Sequence, residues 1–121
     1  MPLVNISILK GKSSEYKKAV ADSINSAVIE TMAFPDDDRY QIIHELDDEC
    51  LQLQERKGDR VMMHLTMRAG RSNKSKQAFY AKVVENLEKA PGIERKNVLI
   101  TIVENHDIDW SFADGEASFI V

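Results

Sequence analysis

The sequence has one cysteine, Cys50, which excludes an internal disulfide and suits a reducing compartment. No stretch approaches the roughly 20 apolar residues that a membrane-spanning helix needs. The N-terminus has no charged segment followed by a long apolar core, so neither a membrane anchor nor a signal peptide is expected. Positive charge is not in surplus: 16 Lys and Arg stand against 20 Asp and Glu, a formal net charge of -4. The basic residues are scattered rather than striped, which argues against a nucleic-acid binder. The three histidines, His44, His64 and His106, lack ligand spacing such as HxxxH, so no metal and no cofactor is expected. What remains is a chain of 121 residues, 43% apolar and 30% charged, read as one cytoplasmic domain with a single core.

Its organisation is a repeat. Leu3 to Leu9 alternate as a strand, and Tyr16, Val20, Ile24 and Val28 then recur every fourth residue as a helical stripe. Ser13 or Ser14 can cap that helix, and Glu15 suits the positive end of its dipole. RYQIIHEL follows as a second strand rich in β-branched and aromatic residues. The second half runs the same way: RVMMHLTM as strand, AGRSNKS as turn and cap, then Phe79, Val83 and Leu87 on a helix stopped by Pro91-Gly92. NVLITIVEN is the closing strand. The two β-α-β units, about 2–48 and 60–104, are joined by a hairpin-like stretch around CLQLQERKGD, and residues 105–121 form a C-terminal extension.

Each unit makes a parallel strand pair with a right-handed crossover. Together they predict an α/β two-layer sandwich, a four-stranded mixed sheet with both helices on one face. The other face of the third strand is mixed, with Met62, His64 and Thr66, and such a face packs against another subunit; a homo-oligomer is expected. If the first strands of the two units pair antiparallel at the centre, Pro2 lies beside the end of the strand finishing at Met67. The parallel partner starts near Asp38 at the same end. Pro2, Asp38, Arg68 and Arg71 then meet at one rim of the sheet.

That set has a chemistry. Once Met1 is removed, Pro2 carries a secondary amine able to take or give a proton alpha to a carbonyl, or to attack the carbonyl. Arg71 can hold a carboxylate bidentately, and Asp38 can keep the amine cationic or orient a water. Taken singly, each has a plainer explanation: Met1 removal before a small residue is common, aspartates make turns, and an arginine before a helix can be solvated.

Pro2 opening a β-α-β repeat, PDDDRYQ, the turn GRS and VENHDIDWSF together resemble the tautomerase superfamily, and within it the malonate semialdehyde decarboxylase group. The resemblance runs through nearly the whole chain. It implies the β-α-β-β-α-β tautomerase-like fold, a homotrimer, and catalysis by Pro2, Asp38 and Arg71. It also implies an apolar wall of Trp110, Phe112 and Phe119 around a small anionic carbonyl or enol substrate. Trp110 could equally anchor a neighbouring subunit. One departure stands out: the decarboxylases carry an arginine where this chain has Ala69. Arg68 is adjacent, but strand neighbours point to opposite faces, so it replaces that arginine only if the strand has ended or bulges there. The expected function is therefore a tautomerase-type enzyme acting on a small oxo, enol or unsaturated acid, with decarboxylase and hydratase chemistry open on the same residues. The alternative is a non-catalytic oligomer on this scaffold that binds a ligand or a partner.

Overall fold

A computed structural model describes residues 2–120. The elements run β1 (Leu3–Leu9), α1 (Ser14–Met32), β2 (Tyr40–Leu46), β3 (Val61–Arg68), α2 (Asn73–Lys89) and β4 (Val98–Asn105). Three single turns of 3-10 helix cover Asp48–Cys50, Arg95–Asn97 and Asp107–Asp109.

The helices begin where local chemistry says they should. Ser13 caps α1 by accepting the Tyr16 amide N–H at 3.1 Å, and Ser72 caps α2 by accepting that of Ser75 at 3.1 Å. The α1 stripe of Val20, Ile24, Ala27, Val28 and Met32 is buried, as is the α2 stripe of Phe79, Val83 and Leu87. Both pack on the face of the sheet made by Val4, Ile6 and Ile8 of β1 and by Val61, Met63, Leu65 and Met67 of β3. The two helices are also stitched by polar bonds: Asn86 Nδ2 donates to the Ser23 carbonyl at 3.0 Å, and the Ser23 hydroxyl donates to that of Ala90 at 2.7 Å.

The strand order is β2-β1-β3-β4, with β1 and β3 antiparallel at the centre and a parallel partner outside each. The expected two-layer β-α-β-β-α-β fold is what forms. The connector differs from expectation. Because β2 and β3 flank β1 on opposite sides, the chain from 47 to 60 cannot be a hairpin and crosses the end of β1 instead. Its own Leu51 and Leu53 are buried. Arg60, 4% exposed, donates to the carbonyls of Leu51, Gly58 and Asp48 and to Asp48 Oδ1. A buried guanidinium needs most of its five N–H groups satisfied, and these four bonds shape the loop. Nearby, Asp59 binds Lys12 Nζ at 2.6 Å and the Tyr16 hydroxyl at 3.0 Å, tying the β1–α1 turn to the connector.

The sheet's second face lacks a helix layer. Tyr40, Ile42 and Val103 on it are 41%, 47% and 54% exposed, which is high for large apolar side chains. His64 there bonds the Thr101 hydroxyl, and His44 lies 3.1 Å from Asn5 Oδ1. Cys50 is an exposed free thiol. Among the described residues no helix is long and apolar enough to cross a membrane.

Phe79 is the largest of the fully buried side chains. Phe79→Ala is expected to lower the unfolding free energy by about 3–5 kcal/mol, read as a fall in the urea midpoint with the slope unchanged. A loss below about 1 kcal/mol would show that the two layers do not meet on this ring.

Candidate active site

The register of the sheet decides which residues meet. Leu3 pairs with Tyr40 on one side and Thr66 on the other, and Arg68 pairs with Asn105. The starts of β1 and β2 and the ends of β3 and β4 therefore share one rim. Pro2, buried, immediately precedes Leu3 there. Asp38, half-buried, lies two residues before Tyr40 in a turn closed by its N–H to the Pro35 carbonyl at 3.2 Å. The removal of Met1, on which a free Pro2 amine depends, lies outside the described residues.

The C-terminal extension folds back over this rim on the helix-free face. Phe112 stacks on Trp110 at 5.1 Å between centroids, meets Phe119 edge-on at 5.6 Å and lies 5.4 Å from Tyr40. Offset and edge-on pairs at these separations are the favourable ones. The segment is closed on itself by the Phe112 N–H to the Ser118 hydroxyl and the Ser118 N–H to the Trp110 carbonyl. Beneath it lies a cavity of about 390 Å³. Leu3, Tyr40, Thr66 and Asn105 contribute one residue from each strand, and Trp110 and Phe112 roof it with Asp109 and Ser111 beside them. That volume suits a small organic acid.

The two arginines have different partners. Arg68 closes β3 on the helix-free face, as strand alternation requires, and does not bulge out of it. Its Nε and Nη2 hold Asp107 Oδ1 at 2.9 and 2.8 Å, and its guanidinium lies 3.9 Å from the Phe119 ring centroid. Arg68 thus pins the extension down. Arg71 sits beyond the strand: its Nε and Nη2 donate to the Met32 carbonyl at 3.3 and 3.0 Å, and its guanidinium lies 4.2 Å over the Phe34 ring. It satisfies a carbonyl that the end of α1 leaves open. Two of its five N–H groups are used in this way, leaving the Nη1 edge for an anion.

The turn carrying Arg71 has its own anchor. Glu104 on β4 takes the Gly70 N–H at 3.3 Å and an ion pair from Lys76 on α2. Lys76 first, and the Gly70 N–H with it, hold the Glu104 carboxyl below the usual carboxylate range.

Two models described as tautomerase enzyme match this chain, one over residues 38–113 and one over residues 2–60. The chain belongs to the tautomerase family. It is 32% identical to the probable tautomerase YrdN of Bacillus subtilis strain 168 over 126 residues, covering 99% of this chain and 97% of that one. Probable tautomerase YusQ of the same organism is 29% identical, with 99% of each chain covered. Among solved structures, FG41 malonate semialdehyde decarboxylase inhibited by 3-bromopropiolate superposes with a TM-score of 0.91 at 32% identity, over 97% of this chain and 93% of that one. A second malonate semialdehyde decarboxylase, described with decarboxylase and hydratase activities, gives 0.90 at 28% identity, over 97% and 95%. The chain is thus an enzyme of the tautomerase and isomerase type or a related decarboxylase.

Of the residues singled out in this tautomerase-family sequence, Arg68, Trp110, Phe112 and Phe119 form one contact cluster, and Arg71 is held apart from it on the end of α1. Tyr40, Thr66 and Asn105 were passed over. Tyr40 sits inside the quoted PDDDRYQ, and Thr66 shares a strand face with Arg68 by simple alternation. For Asn105, at the end of β4, only the strand pairing gives it away.

A carboxylate with a depressed pKa stabilises the fold above its unfolded value, about 4.3 for glutamate. That contribution fades as pH falls through the lower folded value. Lys76→Met should therefore raise the Glu104 pKa in a carbon-13 carboxyl titration by NMR and loosen the Gly70 turn. An unmoved Glu104 would show that the turn is held some other way.

Proposed function

We propose that this chain moves a proton on a small carboxylate-bearing oxo or enol acid, with the Pro2 nitrogen, freed by removal of Met1, as base and then as acid. The reading rests chiefly on the register Tyr40–Leu3–Thr66, which puts Leu3, the residue after Pro2, in the lining of the aromatic-roofed cavity. A free α-amine titrates near 8; a proline amine is somewhat more basic, and burial or nearby guanidinium lowers it toward neutrality, where it can exchange a proton in both directions. The amine takes the enol hydroxyl proton and returns it to carbon, so the substrate is isomerised without net gain or loss. Asp38 opposes the arginines by favouring the protonated amine. The Nη1 edge of Arg71 binds the substrate carboxylate, and Trp110, Phe112 and Phe119 wall the rest of the substrate from water.

Ala69 favours proton transfer over loss of CO2, because the arginine that the decarboxylase group carries at that position is missing and Arg68 is engaged with Asp107 and Phe119. The exposed apolar side chains Tyr40, Ile42 and Val103 support a homotrimer in which this face is covered. Fused 4-OT, which shares the fold at 20% identity and a TM-score of 0.82, is described as a symmetric trimer.

Two variants assayed on phenylenolpyruvate test the assignment. Pro2→Ala should cost about 100-fold or more in kcat with the fold intact by circular dichroism; unchanged turnover removes proline from the mechanism. Arg71→Ala should raise KM by about tenfold or more, well beyond its effect on the urea midpoint. Loss of the folded oligomer instead would assign Arg71 to the α1 terminus alone.

A further inference from the structure

Residues 106–120, which roof the cavity, spend nearly all their hydrogen bonds on themselves. The Asp109 N–H reaches the His106 carbonyl at 2.9 Å, and the His106 N–H returns to the Asp109 carboxylate at 2.9 Å. The Phe112 N–H donates to the Ser118 hydroxyl at 2.9 Å, and the Ser118 N–H to the Trp110 carbonyl at 3.1 Å. Among the described residues, only Arg68 joins this segment to the rest of the chain by hydrogen bonds, through Asp107. Ring contacts add Phe112 against Tyr40 and the Arg68 guanidinium against Phe119.

One side chain thus holds both ends of the roof, Asp107 just after β4 and Phe119 near the far end. Neither hold is strong. A partly exposed ion pair contributes little, and a guanidinium on a ring at such a site contributes modestly. Arginine suits the double task, because its planar fork serves a carboxylate with its edge while lying against a ring; an ammonium is a point charge and serves the two together poorly. Trp110 lies in the middle of the segment, is 8% exposed and is the one tryptophan of the chain. Its indole N–H has no acceptor among the described residues, so burial alone shields it from solvent.

We propose that Arg68 is the latch of a lid: residues 106–120 lift off the cavity as one body when its guanidinium lets go, and the ligand enters by that route. The internal bonds of the segment survive the movement, and the hinge is the chain after Asn105. Arg68 is a positioning residue, acting on the ligand through the roof that it holds down. What enters rests on the small-acid reading given above; the motion does not.

Native-state hydrogen exchange reads such an opening equilibrium directly, and the indole N–H of Trp110 is its reporter. Arg68→Met should make that proton exchange about tenfold faster, with Arg68→Lys in between. The Ser118 amide, bonded within the lid, should keep its wild-type rate, and the assembly should keep its size by ultracentrifugation. In the wild type, 3-phenylpropanoate at about ten times its Kd should slow indole exchange about tenfold, since a ligand under the roof favours closure. Equal indole exchange in wild type and Arg68→Met would overturn the inference, leaving the aromatic contacts as the only hold. So would a Ser118 amide that speeds up in step, which means melting rather than lifting, or a variant that loses its assembly. A bound acid that leaves indole exchange unchanged would also overturn it, because the roof would then not gate the cavity. If the acid does not bind and Pro2→Ala leaves turnover unchanged, the small-acid reading falls, and the exchange ratio alone decides the latch.

Discussion

The antiparallel pairing of β1 with β3 is the constraint on which the rest depends. Within each repeat a strand, a helix and a second parallel strand follow from local periodicity alone. Neither repeat can make a site, because the start of its first strand and the turn after that strand lie at opposite ends. Pairing the two first strands head to tail, with Leu3 opposite Thr66, brings the start of one unit to the turn of the other. Pro2, the β2 entry at Tyr40, the end of β3 at Arg68 and the end of β4 at Asn105 then belong to one rim. Slip that register by a single residue and every β1 side chain changes face: Val4, Ile6 and Ile8 would leave the core.

The extension completes what the sheet begins. Its hold on the rim is not mainly ionic. Arg68 and Asp107 are 38% and 51% exposed, a setting in which ion pairs contribute little. The stacking of Phe112 on Trp110, its contact with Tyr40, and the guanidinium seated on Phe119 are the contacts that carry weight. The cost of covering the rim in this way is a buried indole N–H and an amide oxygen that have no partner among the described residues.

The division between what the residues announced and what they hid follows the range of the interactions. The four-residue stripes on α1 and α2, the serine caps and the alternation in β1 and β3 are local, and they were readable. So was the rim that Pro2 and Asp38 share, because it needed only one assumption about strand pairing. The connector was misread as a hairpin because Leu51, Leu53 and Arg60 are held by contacts that no short pattern encodes. The bond from Arg71 to the Met32 carbonyl spans 39 residues and has no signature in either segment. The same is true of Asn105, an ordinary strand-end residue until the fold sets it in the lining of the same cavity as Trp110.

The central claim is that the working nitrogen of this enzyme belongs to Pro2. The most direct measurement is the mass and sequence of the N-terminal peptide of protein isolated from its own cells. The account requires a peptide that begins at Pro2, lighter by one methionine residue, with its amine open to reductive methylation. A mature chain that still begins at Met1 would leave an amide where the mechanism needs an amine, and would contradict it.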